Sequence, residues 1–275
     1  MLDFWLTPWR AGLSMTAATL ETMIAAQMYT VRDFTKTPED IAESLKKVKA
    51  IGYDAMQVSG FGPIDPQELK NMADGEGLEI IATHTSFDRM RDDTQAVIDE
   101  HLLWNCKYPA IGGLPQSYRE DGEGGYLRFA QDATEVGRKL AEAGLTFGYH
   151  NHNFEFQKIG NRTALELILQ ETDPKAVQLE IDVYWVQAGG ADPAAWIRKA
   201  RTRIDLVHVK DMAIEGREQR FAEVGEGNLN WPAIFEAGRE SGTRWYIVEQ
   251  DRCYDRDPFD SLKISLKNMK NMGLS

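Results

Sequence analysis

Four side chains in the second half of this 275-residue sequence share a chemistry: Glu155, Asp182, His208 and Glu249. Each closes, or closely follows, a short β-rich run. The runs are Tyr149-His150-Asn151-His152-Asn153-Phe154-Glu155, Leu179-Glu180-Ile181-Asp182, Val207-His208-Val209-Lys210-Asp211 and Ile247-Val248-Glu249. Glu155, Asp182 and His208 recur at the interval expected of successive βα units, and a loop read over 211–228 lengthens the gap from His208 to Glu249. Three carboxylates and one imidazole make an oxygen-rich site. That set suits one divalent cation, Mn²⁺ first, with Mg²⁺, Co²⁺ or Fe²⁺ as alternatives, better than a thiolate zinc site. Any one of these residues alone reads as a solvated acid or a packed histidine. At matching strand ends, beside apolar residues, a cation explains all four, because an unpaired buried carboxylate is costly.

Further polar groups surround this set. Lys210 follows His208 by two, so strand alternation aims both into the same mouth, where Lys210 either meets a substrate oxygen or pairs with a barrel acid. His84 and His152 are candidate substrate contacts, against the alternative of ordinary hydrogen-bonded packing. Trp185 is either an aromatic wall for a sugar face or barrel packing. The glycine-rich run Asp121-Gly122-Glu123-Gly124-Gly125 reads as a flexible mouth loop rather than a phosphate cradle.

The elements that position these residues alternate along the chain. The first strand is read as Ile24 to Val31, and Thr37-Pro38-Glu39-Asp40 then opens a helix with a capping box and a proline in its first turn. Ile41, Leu45, Val48 and Ile51 give that helix one apolar face, and Gly52 ends it. The same grammar recurs: Asp65-Pro66, Asp192-Pro193, Trp231-Pro232 and Asp257-Pro258 each open a helix after a short strand. Eight strand-helix units in this length predict an α/β fold closed as a (β/α)8 TIM barrel, with functional side chains at the C-terminal strand ends. No glycine-rich fingerprint follows the first strand, which argues against a dinucleotide fold.

On these motifs the chain resembles the sugar phosphate isomerase/epimerase family. The resemblance rests on His150-Asn151-His152-Asn153-Phe154-Glu155-Phe156, Glu180-Ile181-Asp182-Val183-Tyr184-Trp185, His208-Val209-Lys210-Asp211, Val224-Gly225-Glu226-Gly227 and Val248-Glu249-Gln250. It covers Ile24 to about Met269. That family shares a xylose-isomerase-like barrel with inosose dehydratases, ketose 3-epimerases and endonuclease IV. The resemblance implies that Glu155, Asp182, His208 and Glu249 are the metal ligands, and that Glu155 and Glu249 also exchange protons with the substrate carbon. It implies an enediolate-forming isomerase or epimerase acting on a ketose or related polyol. The alternative is a lyase or dehydratase acting on a keto-cyclitol or 3-keto-sugar. The chain departs from the ketose 3-epimerases in carrying Trp185 where they have a histidine three positions after the aspartate.

Bulk properties narrow the partners. Apolar residues make up 43% of the chain, and a formal charge of -12 disfavours nucleic acid. No apolar run is long enough for a membrane helix. The expected partner is a small carbohydrate, a homo-oligomer is compatible with this reading, and the two cysteines, Cys106 and Cys253, are expected to be reduced thiols of a cytoplasmic protein. Residues 1–22 read as an extension outside a single catalytic barrel spanning 23–275, with Met23 as the natural beginning.

Overall fold

Residues 23–274 are described by the structure, a computed structural model. The extension expected over residues 1–22 lies outside the described residues. Eight parallel strands close a barrel: β1 (Met23–Gln27), β2 (Ala55–Val58), β3 (Glu79–His84), β4 (Tyr108–Ile111), β5 (Phe147–His150), β6 (Val177–Asp182), β7 (Leu206–Val209) and β8 (Trp245–Val248). Neighbours in the barrel are neighbours in sequence, and β8 closes on β1 with Met23 beside Trp245. The main outer helices are α1 (Pro38–Ile51), α2 (Pro66–Glu76), α3 (Thr94–Leu103), α4 (Gly122–Glu142), α5 (Ala164–Glu171), α6 (Pro193–Lys199), α7 (Trp231–Ser241) and α8 (Pro258–Asn271). The expected TIM barrel is the observed fold.

Local sequence explains where the helices begin. Thr37 accepts the Asp40 N–H while the Asp40 carboxylate accepts the Thr37 N–H, and Pro38 occupies a position where no N–H is needed. Asp65, Asp192 and Asp257 cap α2, α6 and α8 by accepting first-turn N–H groups, each ahead of a proline. Each such cap stabilises its helix by about 1 kcal/mol. Gly52 ends α1 at φ 113°, a conformation that favours glycine.

Alternation along the strands divides the core in two. Outward residues such as Met56, Phe147, Ile181 and Val207 pack under the helices with Leu45, Phe129 and Ile168. Inward residues Ala25, Ala55, Tyr108, Leu206, Trp245 and Ile247 form an apolar floor. Above that floor the barrel interior turns polar.

Three local expectations are corrected. The first strand stops at Gln27, whose side chain accepts the Tyr29 N–H, and Met28–Phe34 coils as a 3-10 helix instead of extending to Val31. The glycine-rich run is the first turn of α4 rather than a loop. A Cβ at Gly125 would lie 1.8 Å from the Tyr118 carbonyl oxygen, so glycine there permits the close approach. The stretch after β7 is an antiparallel hairpin, Asp211–Glu215 against Glu218–Ala222. Both cysteines are free, with Cys106 buried. Among the described residues no helix is long and apolar enough to cross a membrane.

Candidate metal centre

The polar interior is built from inward positions two residues apart. Strand β5 ends in His150, β6 supplies Glu180 and Asp182, β7 supplies His208 and continues to Lys210, and β8 runs on into Glu249 and Asp251. Barrel register sets Asp182 beside His208 and His150 beside Glu180. Gly148 lies under His150, where a Cβ would meet the Ala110 Cβ at 2.8 Å, so glycine lets β5 lie close to β4.

At the C-terminal mouth, His150, Asp182, His208 and Glu249 each offer one ligand atom, and these atoms lie within 4.8 Å of one another. His150 Nε2 is 3.7 Å from Asp182 Oδ2, and His208 Nδ1 is 2.9 Å from Glu249 Oε2. All four side chains are buried. Lys210 Nζ reaches the same acids, at 2.9 Å from Asp182 Oδ2 and 2.6 Å from both Glu249 Oε2 and Asp251 Oδ2. Asp182 Oδ2 has this ion pair but no well-aligned hydrogen bond. Two imidazoles and two carboxylates, one with a buried oxygen lacking a directed donor, fit a divalent cation bound through nitrogen and oxygen.

A second group lies one layer deeper. His84, His150, Glu180 and His208 also bring ligand atoms within 4.8 Å of one another. Glu180 Oε2 is 2.7 Å from His84 Nε2 and Glu180 Oε1 is 2.8 Å from Gln57 Nε2. Gln57 Oε1 in turn meets His208 Nε2 at 2.6 Å.

The charges in this interior shift one another's titration. Burial alone would push the Glu180 carboxyl up, but His208 and His84 hold it well below the ordinary range. Burial likewise opposes the charged Glu249, and Lys210 and His208 outweigh it. Burial raises Asp182 to about 6, against the pull of Lys210. Burial would depress His208, yet Glu180 and Glu249 lift it to about 10. Burial also opposes the charged Lys210, and the three acids around it raise it well above its usual value. The buried acids therefore hold positive charge on His208 and Lys210, while burial keeps His150 neutral.

The structure brings together three of the four side chains read from the sequence as ligands: Asp182, His208 and Glu249. Glu155 stands apart from both groups, in a 3-10 turn five residues beyond the end of β5. Its carboxylate accepts from Tyr149 Oη at 2.7 Å and from the His152 N–H at 2.9 Å, and burial raises it to about 7. His150 holds the corresponding place in the mouth. Counting one βα unit back from Asp182 reached Glu155 because the turn after β5 mimics a longer strand. Two-residue alternation could have found the missing members, since His150/His152, Glu180/Asp182, His208/Lys210 and Glu249/Asp251 are all such pairs.

The remaining candidates also fall at the mouth. His84 stacks on His208 at 5.4 Å. His152 lies between Phe154 and Trp185, at 5.8 and 5.2 Å, with a buried Nδ1 that has no partner, and burial lowers it to about 4. The Trp185 ring approaches Lys210 Nζ at 5.8 Å and Phe221, from the hairpin, at 5.6 Å. A cavity of about 350 Å³ opens here, lined by Tyr29, Ser59, His84, His150, His152, Glu249 and Asp251 among others. Asp211 has a structural task. Its carboxylate collects the N–H groups of Met212, Gly225, Gly227 and Leu229 and the Trp231 Nε1–H, folding the loop that follows the hairpin.

Residues 45–272 match the family described as Xylose isomerase-like TIM barrel. The chain belongs to that family. It is 30% identical over 135 residues to an inosose dehydratase of Geobacillus thermodenitrificans, covering 42% of this chain and 44% of that protein's length. It is 26% identical over 253 residues to an inosose dehydratase of Erwinia tasmaniensis, covering 76% of this chain and 82% of that protein. A Parabacteroides distasonis structure described as a sugar phosphate isomerase/epimerase superimposes with a TM-score of 0.78 at 25% identity. It covers 92% of this chain and 99% of the other.

Proposed function

We propose that this barrel is a divalent-metal-dependent sugar isomerase or epimerase acting on a ketose or related polyol. The observation that carries the reading is the convergence of His150, Asp182, His208 and Glu249 at the mouth, beside an open cavity. These four residues would hold the ion. A bound divalent ion would supply Lewis-acid stabilisation to a carbonyl and neighbouring hydroxyl of the sugar. Glu249 lines the cavity and serves as the base that takes the proton beside that carbonyl. Lys210 keeps a positive charge next to the developing oxyanion, and Trp185 with His152 forms an aromatic wall for the sugar ring. Glu155 fixes the turn that presents His152.

A dehydratase acting on a keto-cyclitol or 3-keto-sugar is the second reading. The Lys210–Asp251 pair favours it, because an ammonium 2.6 Å from the proposed base Glu249 could protonate a departing hydroxyl. The named function of the two inosose dehydratase relatives supports the same chemistry. The test is an NMR screen of ketoses, inososes and 3-keto-sugars with Mn²⁺ in D₂O. An epimerase places deuterium at the reacting carbon without loss of water, and a dehydratase yields an unsaturated product. If the protein binds sugars but neither exchanges nor converts any of them, it is a carbohydrate-binding barrel and the catalytic reading fails.

A further inference from the structure

The deeper polar layer has a directional logic that the metal ligands alone do not explain. Glu180 is fully buried, with Gln57 Nε2 at 2.8 Å from its Oε1 and His84 Nε2 at 2.7 Å from its Oε2. Gln57 thus turns its amide nitrogen toward Glu180, which turns its carbonyl oxygen toward β7. That oxygen can only accept. It lies 2.6 Å from His208 Nε2 and 2.8 Å from Gln27 Nε2, so the Nε2 of His208 carries a proton. The opposite nitrogen, Nδ1, then faces the mouth 2.9 Å from Glu249 Oε2, where it donates until a cation displaces its proton. His150 obeys the same polarity. Its buried Nδ1 has no hydrogen-bond partner and points down toward Glu180 Oε2 at 3.5 Å, while its Nε2 points up to Asp182 Oδ2 at 3.7 Å. One carboxylate thus lies beneath both imidazoles, and it meets His208 Nε2 both directly, from Oε1 at 3.3 Å, and through the Gln57 amide.

We propose that Glu180 and Gln57 are positioning residues that fix the protons of His208 and His150 on their floor-facing nitrogens, so that His208 Nδ1 and His150 Nε2 present lone pairs to a single divalent cation. Ligand histidines are generally oriented in this way by a carboxylate or carbonyl on the far nitrogen, and loss of that partner typically weakens metal binding 10–100-fold. Here one buried acid serves two ligands, and Gln27 braces the relay from β1. The inference rests on the metal-centre reading above.

Zinc, which is diamagnetic, is the probe, and long-range ¹H–¹⁵N spectra of the histidine rings read which nitrogen is coordinated. In the zinc-loaded native protein, His208 is expected to coordinate through Nδ1 with its proton on Nε2, and His150 through Nε2 with its proton on Nδ1. Glu180→Gln keeps the shape but lets the network reverse. It is expected to raise the zinc dissociation constant about 10–100-fold and to blur the single ring pattern. Gln57→Leu is expected to disturb His208 and leave the His150 pattern intact, a selectivity that general loosening of the barrel would not produce. Coordination through the opposite nitrogens, or two variants that bind zinc within threefold of the native protein with unchanged ring patterns, overturns the inference. Absence of bound zinc in the native protein instead removes the metal centre itself, and this inference falls with it.

Discussion

Lys210 Nζ stands 2.6 Å from Glu249 Oε2, the same oxygen that His208 Nδ1 approaches at 2.9 Å. One carboxylate oxygen is thus shared between a fixed ammonium and a proposed ligand position. A divalent ion bound by Glu249 and Asp182 must compete with, or displace, the lysine that neutralises them.

That competition gives the first prediction. Lys210→Met leaves Asp182, Glu249 and Asp251 without their buried counter-charge, which should cost about 3–5 kcal/mol in metal-free protein. Added Mn²⁺ should restore more stability to the variant than to the native chain, since a ligand stabilises the state that binds it. Thermal unfolding with EDTA and with Mn²⁺ checks this. Equal metal-induced shifts in the two proteins would show that the lysine and the ion do not compete.

Glu249→Gln keeps the size of the side chain and one oxygen ligand but removes the proposed base. Turnover on a true substrate should fall by about 10²–10⁴, with part of the metal retained. Deuterium incorporation from D₂O at the reacting carbon should fall in parallel. Near-native exchange in the variant would transfer the role of base to another group, with Asp251 or His152 the next to test.

The barrel was legible in the sequence because its signals are local. Capping residues followed by prolines and apolar periodicity mark each unit without reference to the rest of the chain. The convergence of Asp182, His208 and Glu249 was legible for the same reason, as they sit at or just past strand ends. His150 and Glu180 were harder to see because burial, not exposure, gives them meaning, and strand phase rather than chain counting places them on the inner face. Gln57 carried no signal at all: its importance comes from an amide orientation imposed by Glu180, a residue more than a hundred positions away. Glu155 marks the limit of such reading, because an acid just after a strand looks the same in sequence whether it turns into the barrel or, as here, toward Tyr149 and its own turn.

His101 offers a pH prediction outside the mouth. It is fully buried on α3, where its Nδ1–H donates to the Val97 carbonyl and its Nε2 accepts from Thr83 Oγ1. Burial lowers it to about 4 from an ordinary value of 6.5. The unfolded chain therefore takes up this proton first as pH falls. The stabilisation is complete above pH 6.5 and is lost toward pH 4, by about 3 kcal/mol. His101→Gln should flatten the pH dependence of urea unfolding over that window. An unchanged slope in the variant would show that other groups carry the acid sensitivity.

A chain beginning at Met23 should fold and retain full activity, because β1 begins at Met23 and pairs with both β2 and β8. Circular dichroism and the substrate assay test this together. Insolubility of the shortened protein would assign residues 1–22 a covering role.

The central claim is that His150, Asp182, His208 and Glu249 form one metal centre and that Glu155 is not part of it. Titration calorimetry with Mn²⁺ on the native protein, His150→Ala and Glu155→Gln tests it most directly. The account predicts one ion per native chain, affinity weakened at least about tenfold in His150→Ala, and affinity within about threefold of native in Glu155→Gln, whose side chain faces Tyr149 and the His152 backbone. Native-like binding in His150→Ala together with lost binding in Glu155→Gln would contradict it and return the fourth ligand to the turn after β5.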